Sequence, residues 1–202
     1  MNLIKQYQDK LENLKKYNIL LASKSPRRRE LLREIRVPFH TISIGKIAED
    51  YPADMKAARV PEYLSQLKAE AYSSTIKDDE MIITADTVVI LDGKIYGKPA
   101  DAEEAVRMLR ELSGKTHQVV TGVTVATRDK RVSFACSTDV EFAEIADEDI
   151  RYYVDNYRPL DKAGSYGIQE WIGCAGISGI RGSFYNVMGL PIHRLYEVLR
   201  RF

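Results

Sequence analysis

The run MIITADTVVIL, residues 81–91, constrains the fold more than any other segment of this chain. It is rich in β-branched residues and apolar on both faces. A strand that hides both faces lies inside a covered sheet, so the pattern predicts a central buried strand in a layered α/β architecture. Asp86 interrupts the run. Burying an unpaired carboxylate costs on the order of several kcal/mol, so Asp86 is expected to have a cationic, metal or hydrogen-bond partner. Two placements satisfy this. Asp86 can cap a turn just past the sheet, or it can serve as general base or metal ligand at the C-terminal end of a strand, where open α/β sheets place ligands.

The flanking sequence supplies the other elements. Ile4, Tyr7, Leu11 and Leu14 stand at helical spacing and predict a short lead-in helix within residues 1–17. Residues 18–22 read as a strand. Ser25 and Pro26 then form an N-cap and first-turn pair for a helix running to about Arg36. A second strand is expected near FHTISI, then an irregular loop over residues 45–59 and a helix from Pro61. Asp92-Gly93 is a hairpin turn signal. Asp101, with Glu104 three residues on, resembles a capping box, and Gly114 suits the helix stop. THQVVTGVTVAT and RVSFACSTDVEF read as two long strands, DEDIRYYVDNY as a helix, the glycine-rich segment 164–189 as loops and short strands, and Pro191 opens a last helix. Interspersed strands and helices with a hairpin predict an α/β fold: a mixed sheet with flanking helices, folded as two lobes around a cleft.

Charge placement points to the ligand class. The segment SPRRRELLREI puts arginines at a helix start, where backbone partial charge is already positive and acidic neighbours are preferred. Arg28 shares a helical face with Leu31, Leu32 and Ile35 and should point along the buried side toward whatever the helix start faces. The plainer alternative is a basic surface paired with Glu30 and Glu34. Arg29, Arg33 and Arg36 fall on a different side and Arg27 is intermediate. In the next helix Lys68 lies within the stripe of Leu64, Leu67 and Ala71. It can snorkel to water or reach an anion in the same cleft.

Composition excludes several classes. The formal net charge is +1 over 202 residues, so there is no global basic field for nucleic acid. Cys136 and Cys174 fit no zinc motif and are too few for a disulfide framework, which suggests a reducing cytoplasm. No apolar run reaches membrane-spanning length and the N-terminal stretch is not a signal peptide. Gly114-Lys115-Thr116 is not the tail of a P-loop: Leu109 stands where a glycine is needed, and the segment leads into a strand. His40, His117 and His193 are scattered and read as structural.

LASKSPRRRELL, LKAEA, ADTVV, GKP, LSGKTHQVVTGV, AGSYGIQ and GSFYNVMGLP occur in this order, and together the chain from residue 18 to 202 resembles the Maf family, nucleoside triphosphate pyrophosphatases once described as septum-formation inhibitors. The resemblance implies a single domain over 18–202, a fold similar to that of inosine triphosphate pyrophosphatases with a deep cleft, and a homodimer as the common assembly. It implies Asp86 as catalytic base and metal-linked residue, and substrate contacts from Ser23, Arg27, Arg28, Lys68 and Lys98. Arg27, Thr87 and Gln169 match the branch that acts on dTTP and UTP. The 7-methyl-GTP branch tends to carry tryptophan at the first of these positions. Many relatives have an acidic pair after the second strand. Here the run is GKIAEDYP, so Ala48 replaces one acid and Glu49 remains as the candidate metal ligand. Carboxylates and phosphates suit Mg²⁺ or Mn²⁺. The expected reaction is water attack at the α-phosphorus with release of pyrophosphate. A non-catalytic nucleotide-binding regulator of cell division, and a pyrophosphatase for modified nucleotides, are the alternatives.

Overall fold

A computed structural model of the chain describes residues 9–45 and 47–202. Of the expected lead-in helix, Ile4 and Tyr7 lie outside the described residues. Asp9–Leu14 forms a 3₁₀ helix with a non-helical break at Leu11, and Leu14 packs into the core. The elements that follow are β1 (Asn18–Leu21), α1 (Pro26–Glu34), β2 (His40–Thr41), α2 (Val60–Ser73), β3 (Glu80–Leu91), β4 (Lys94–Tyr96), α3 (Ala102–Leu112), β5 (Thr116–Ala126), β6 (Arg131–Phe142), α4 (Asp147–Tyr157), α5 (Trp171–Gly176), β7 (Ile177–Arg181), α6 (Phe184–Val187) and α7 (Ile192–Leu199). The expected turn chemistry recurs in place. Ser25 Oγ accepts the Arg28 N–H, Asp101 Oδ1 accepts that of Glu104, and Asp92 and Gly93 take positive φ between β3 and β4. Two expectations shorten. The helix from Pro26 ends at Glu34, just before Arg36 turns left-handed, and FHTISI contributes only two strand residues.

The seven strands form one mixed sheet in the order β2-β1-β3-β5-β6-β7, with β4 also on β3. β1 runs parallel to β2 and β3, and the remaining pairs are antiparallel. The long β3 is the central strand expected from its composition. All of it is buried except Asp86 and Thr87.

Pairing register creates the cleft. β5 occupies one edge of β3 continuously from Ile82 to Ile90. β1 and β4 must therefore share the other edge. β1 covers Glu80–Ile83 and β4 covers Val89–Leu91, so the edge at residues 84–88 has no strand beside it. Asp86 lies in this gap, in the middle of the strand. The expected position at a strand's end is thus corrected: β1 is what ends there, and β3 runs on past it.

Two cores share one face of the sheet. Met81, Ile83 and Ala85 pack with Leu31 and Leu32 of α1 and Leu195, Val198 and Leu199 of α7. Val89 and Leu91 pack with α3 and α4 through Leu109, Leu112, Ile150 and Val154. Each fully buried side chain of this kind contributes roughly 1.5–3 kcal/mol. Thr87 falls between the two cores. On the other face α2 lies close against β3 and β5. Thr84 Oγ1 donates to Ser65 O at 2.6 Å, and the Ser65 and Thr124 hydroxyls meet at 2.8 Å.

Candidate active site

The gap opens into a cleft of about 450 Å³ lined by Arg27, Arg28, Glu49, Lys68, Asp86, Thr87, Lys98 and Gln169. A second lobe of about 440 Å³ shares Arg27, Arg28, Glu49, Lys68 and Lys98 and adds Ser23. All nine residues singled out in the sequence therefore border one continuous set of walls.

Asp86 is on the α2 side of β3. Lys68 reaches it from α2, its Nζ 2.5 Å from Asp86 Oδ1 and 2.9 Å from Glu49 Oε1. Of the two readings of Lys68, the one directed into the cleft holds. It supplies the cationic partner that a largely covered carboxylate requires, since the Asp86 side chain is 15% exposed. Glu49 is 56% exposed and meets the same ammonium from the mouth of the cleft.

Thr87, one residue on, points to the opposite face. Its hydroxyl accepts from Arg28 Nη2 at 2.9 Å and lies 2.9 Å from Thr121 Oγ1. Arg28 also donates through Nη1 to Ala85 O at 2.9 Å and through Nε to Gly189 O at 2.7 Å. The carbonyl of Ala85 lies on the uncovered edge of β3, so the guanidinium takes the place of a missing strand neighbour. Arg28 thus points along the buried side as its helical face predicts. Three of its N–H groups are committed to the protein. Burial lowers its pKa from the ordinary guanidinium value, and the charge of Asp86 opposes that shift.

Arg27 stands at the cleft wall and donates through Nη1 to Asp161 Oδ2 at 2.9 Å. Ser23 Oγ accepts the Ser25 N–H at 3.2 Å and shapes the entry to α1. Lys98 is exposed and, among the described residues, has no carboxylate partner. Gln169 is exposed at the tip of a turn closed by the Glu170 N–H on Gly167 O at 3.0 Å.

Sequence reasoning did not anticipate a second ionic group beside Gln169. Lys162 is 8% exposed, and its Nζ lies 2.8 Å from Asp161 Oδ1 and 3.0 Å from Glu170 Oε1. Burial opposes ionisation of Asp161, but hydrogen bonds from Lys162 and Arg27 outweigh it and hold the carboxyl below its usual value. The only signal in the sequence was the adjacency Asp161-Lys162. Glu170, eight residues on, is brought in by the turn.

Among the described residues no group of three His, Cys, Asp or Glu side chains could hold a metal ion. Two carboxylates, Glu49 and Asp86, do converge on one cation, the Lys68 ammonium. Hard oxygen donors of that number fit Mg²⁺ or Mn²⁺, which commonly complete their shell with water and substrate phosphate oxygens. No histidine among the described residues lines the cleft. His40 and His193 are exposed, and His117 is buried with Nε2 2.7 Å from Tyr166 Oη.

Fold and cleft define a class: an α/β protein whose central strand is left open along one edge to floor a cation-lined cleft around a largely covered carboxylate. A family model, Maf-like protein, matches residues 18–202. The chain is 58% identical over 194 residues to the dTTP/UTP pyrophosphatase of Porphyromonas gingivalis, covering 95% of this chain and 98% of that one. It is 54% identical to the dTTP/UTP pyrophosphatase of Bacteroides thetaiotaomicron, over 95% and 99% of the two chains. It is 42% identical to that of Flavobacterium johnsoniae, over 93% and 96%. Among solved structures, a HAM1 protein from Coxiella burnetii shares the fold with a TM-score of 0.50 at 15% identity, over 92% of this chain and all of that one. The chain belongs to the Maf family.

Proposed function

We propose that this cleft hydrolyses nucleoside triphosphates, dTTP and UTP before others, to the monophosphate and pyrophosphate. The observation that carries the reading is the Asp86–Lys68–Glu49 group in a gap of the central strand's edge, ringed by Arg27, Arg28 and Lys98. The dTTP/UTP pyrophosphatases at 42–58% identity support the substrate class.

A triphosphate brings about four negative charges, and its hydrolysis is governed by positioning and charge stabilisation. Among the described residues three carboxylates line the cleft. Asp161 is committed to Arg27 and Lys162, and Glu49 stands half in solvent. Lys68 engages only Oδ1 of Asp86, whereas both oxygens of Asp161 are paired, so Asp86 is the acceptor for a proton of the attacking water. The water oxygen bonds to the α-phosphorus, the bond from that phosphorus to the α,β-bridging oxygen breaks, and pyrophosphate leaves. Lys68 orients Asp86 and, with Lys98, offsets phosphate charge. Ser23 contributes a hydroxyl at the α1 start. Arg28 holds the Ala85 carbonyl and the Thr87 hydroxyl and lines the cleft. Arg27, Thr87 and Gln169 shape the base pocket, where the glutamine amide can both donate and accept. Glu49 and Asp86 would hold Mg²⁺ or Mn²⁺, which when bound neutralises phosphate charge and polarises the reacting phosphoryl group.

We further take residues 18–202 as one catalytic domain with residues 1–17 as an appendage, acting as a homodimer in the cytoplasm. Free thiols at Cys136 and Cys174 agree with a reducing compartment. Among the described residues no helix is long and apolar enough to cross a membrane. The test is a pyrophosphate-release screen with Mg²⁺ and Mn²⁺. Turnover of dTTP and UTP should exceed that of ATP and 7-methyl-GTP. Saturable binding without release, or the reverse order, would overturn the reading.

A further inference from the structure

Arg27 and Gln169 lie 142 residues apart in the chain, yet one unbroken series of polar contacts runs from Arg27 to the turn that carries Gln169. The Tyr153 hydroxyl ties both ends of the turn that carries Gln169. It accepts the Gly167 N–H at 3.0 Å and donates to Glu170 Oε2. The other oxygen of Glu170 pairs with Lys162 at 3.0 Å, Lys162 pairs with Asp161 at 2.8 Å, and Asp161 accepts Arg27 at 2.9 Å. The turn lies directly on this series. A Cβ on Gly167 would stand 2.9 Å from Glu170 Cδ and 3.1 Å from Lys162 Cε. Tyr153 is 0% exposed in the core of α4, and burial together with Glu170 raises its pKa, so its hydroxyl keeps the proton it donates. Neither Tyr153 nor Glu170 lines the cleft.

Such an arrangement is a costly way to stabilise a loop. Taking a lysine and a glutamate out of water costs several kcal/mol per ion, on the order that pairing only recovers, and apolar side chains of similar volume often serve stability as well or better. What an ionic series does supply is fixed geometry between its ends. We propose that Tyr153, Glu170 and Lys162 form a brace that sets the spacing of Gln169 from Arg27 and so determines which base the cleft accepts. Tyr153 and Glu170 are positioning residues, acting through the two side chains at the wall. This inference rests on the pyrimidine triphosphate reading above.

Steady-state kinetics on wild type, Tyr153→Phe, Glu170→Gln and Glu170→Ala with dTTP, UTP and ATP test it. Tyr153→Phe and Glu170→Ala should lower the kcat/KM preference for dTTP over ATP by about tenfold, through KM, with kcat for dTTP held within about twofold. Glu170→Gln keeps an acceptor for the Tyr153 hydroxyl and should lose less. A lower unfolding midpoint with unchanged preference would mean that the group only stabilises the loop, and would overturn the brace. Tyr153→Phe removes one hydroxyl, so it keeps the question open to refutation if Glu170→Ala fails to fold. Wild type with no preference for dTTP over ATP would overturn the pyrimidine reading and the brace with it. Wild type that prefers dTTP beside variants that prefer it equally would overturn the brace alone.

Discussion

Asp86 was legible in the sequence because a single carboxylate in an apolar strand leaves little choice: it needs a partner, and a partner makes a site. Lys68 was half legible. Its place in an apolar stripe pointed inward, but only the packing of α2 on β3 decides that its ammonium lands 2.5 Å from Asp86. Lys162 was not legible, since its two carboxylates are assembled by a turn and no periodicity marks it. The weight placed on Asp86 leads to a direct expectation. Asp86→Asn keeps the shape and removes the proton acceptor, and Lys68 retains Glu49 as its partner. Turnover of dTTP should fall by about 10²–10⁴-fold, the usual range for a lost general base. Nucleotide binding, measured by calorimetry, should persist. Turnover near wild type would remove Asp86 from the mechanism.

The long elements could be read in the chain because each carries its own punctuation. β6 and α4 coincide with RVSFACSTDVEF and DEDIRYYVDNY, bounded by a turn and by acidic first-turn residues. Residues 164–189 resisted reading because their short helices depend on tertiary partners. α6, four residues long, is capped by Ser183 and anchored by Asn186, whose side-chain amide donates to Val119 O at 2.9 Å and Thr138 Oγ1 at 3.0 Å. The contact of α2 with β5 shows how one residue sets an element's height. A Cβ on Gly122 would stand 2.2 Å from the backbone nitrogen of Glu62 and from the Pro61 carbonyl carbon. Backbone cannot yield as a side-chain tip does. Gly122→Ala should therefore lift the start of α2 and cost at least about 1–3 kcal/mol, the range for overpacking. It should also lower kcat, because Lys68 is carried on the same helix. Urea unfolding and dTTP turnover measured together check this. Wild-type stability with wild-type turnover would show that the helix does not depend on that close approach.

At the scale of the molecule, the mixed sheet followed from the alternation of elements, but the gap that makes the cleft did not. It depends on where β1 stops and β4 starts along β3, which is a matter of register and not of local pattern. The same long strand joins the two cores, so global stability carries the electrostatics of both. His117 is the clearest case. It is 1% exposed at the start of β5, edge-on to Phe142 and Tyr166. Nε2 meets Tyr166 Oη, while Nδ1 has no hydrogen-bond partner. An imidazolium there would strand a buried N–H, and burial lowers the pKa from 6.5 to about 4. The unfolded chain therefore takes up a proton between pH 6.5 and 4 that the native state refuses. This contribution is complete above pH 6.5 and is lost as pH falls through that window. It reaches about 3 kcal/mol, because each tenfold difference in proton affinity between the two states is worth about 1.4 kcal/mol. His117→Gln removes the titration and retains a group able to bond Tyr166. Between about pH 7 and pH 4 wild type should lose about 3 kcal/mol more unfolding free energy than His117→Gln, read from denaturant midpoints at each pH. Equal losses in the two proteins would show that His117 is not the group that makes this fold sensitive to acid.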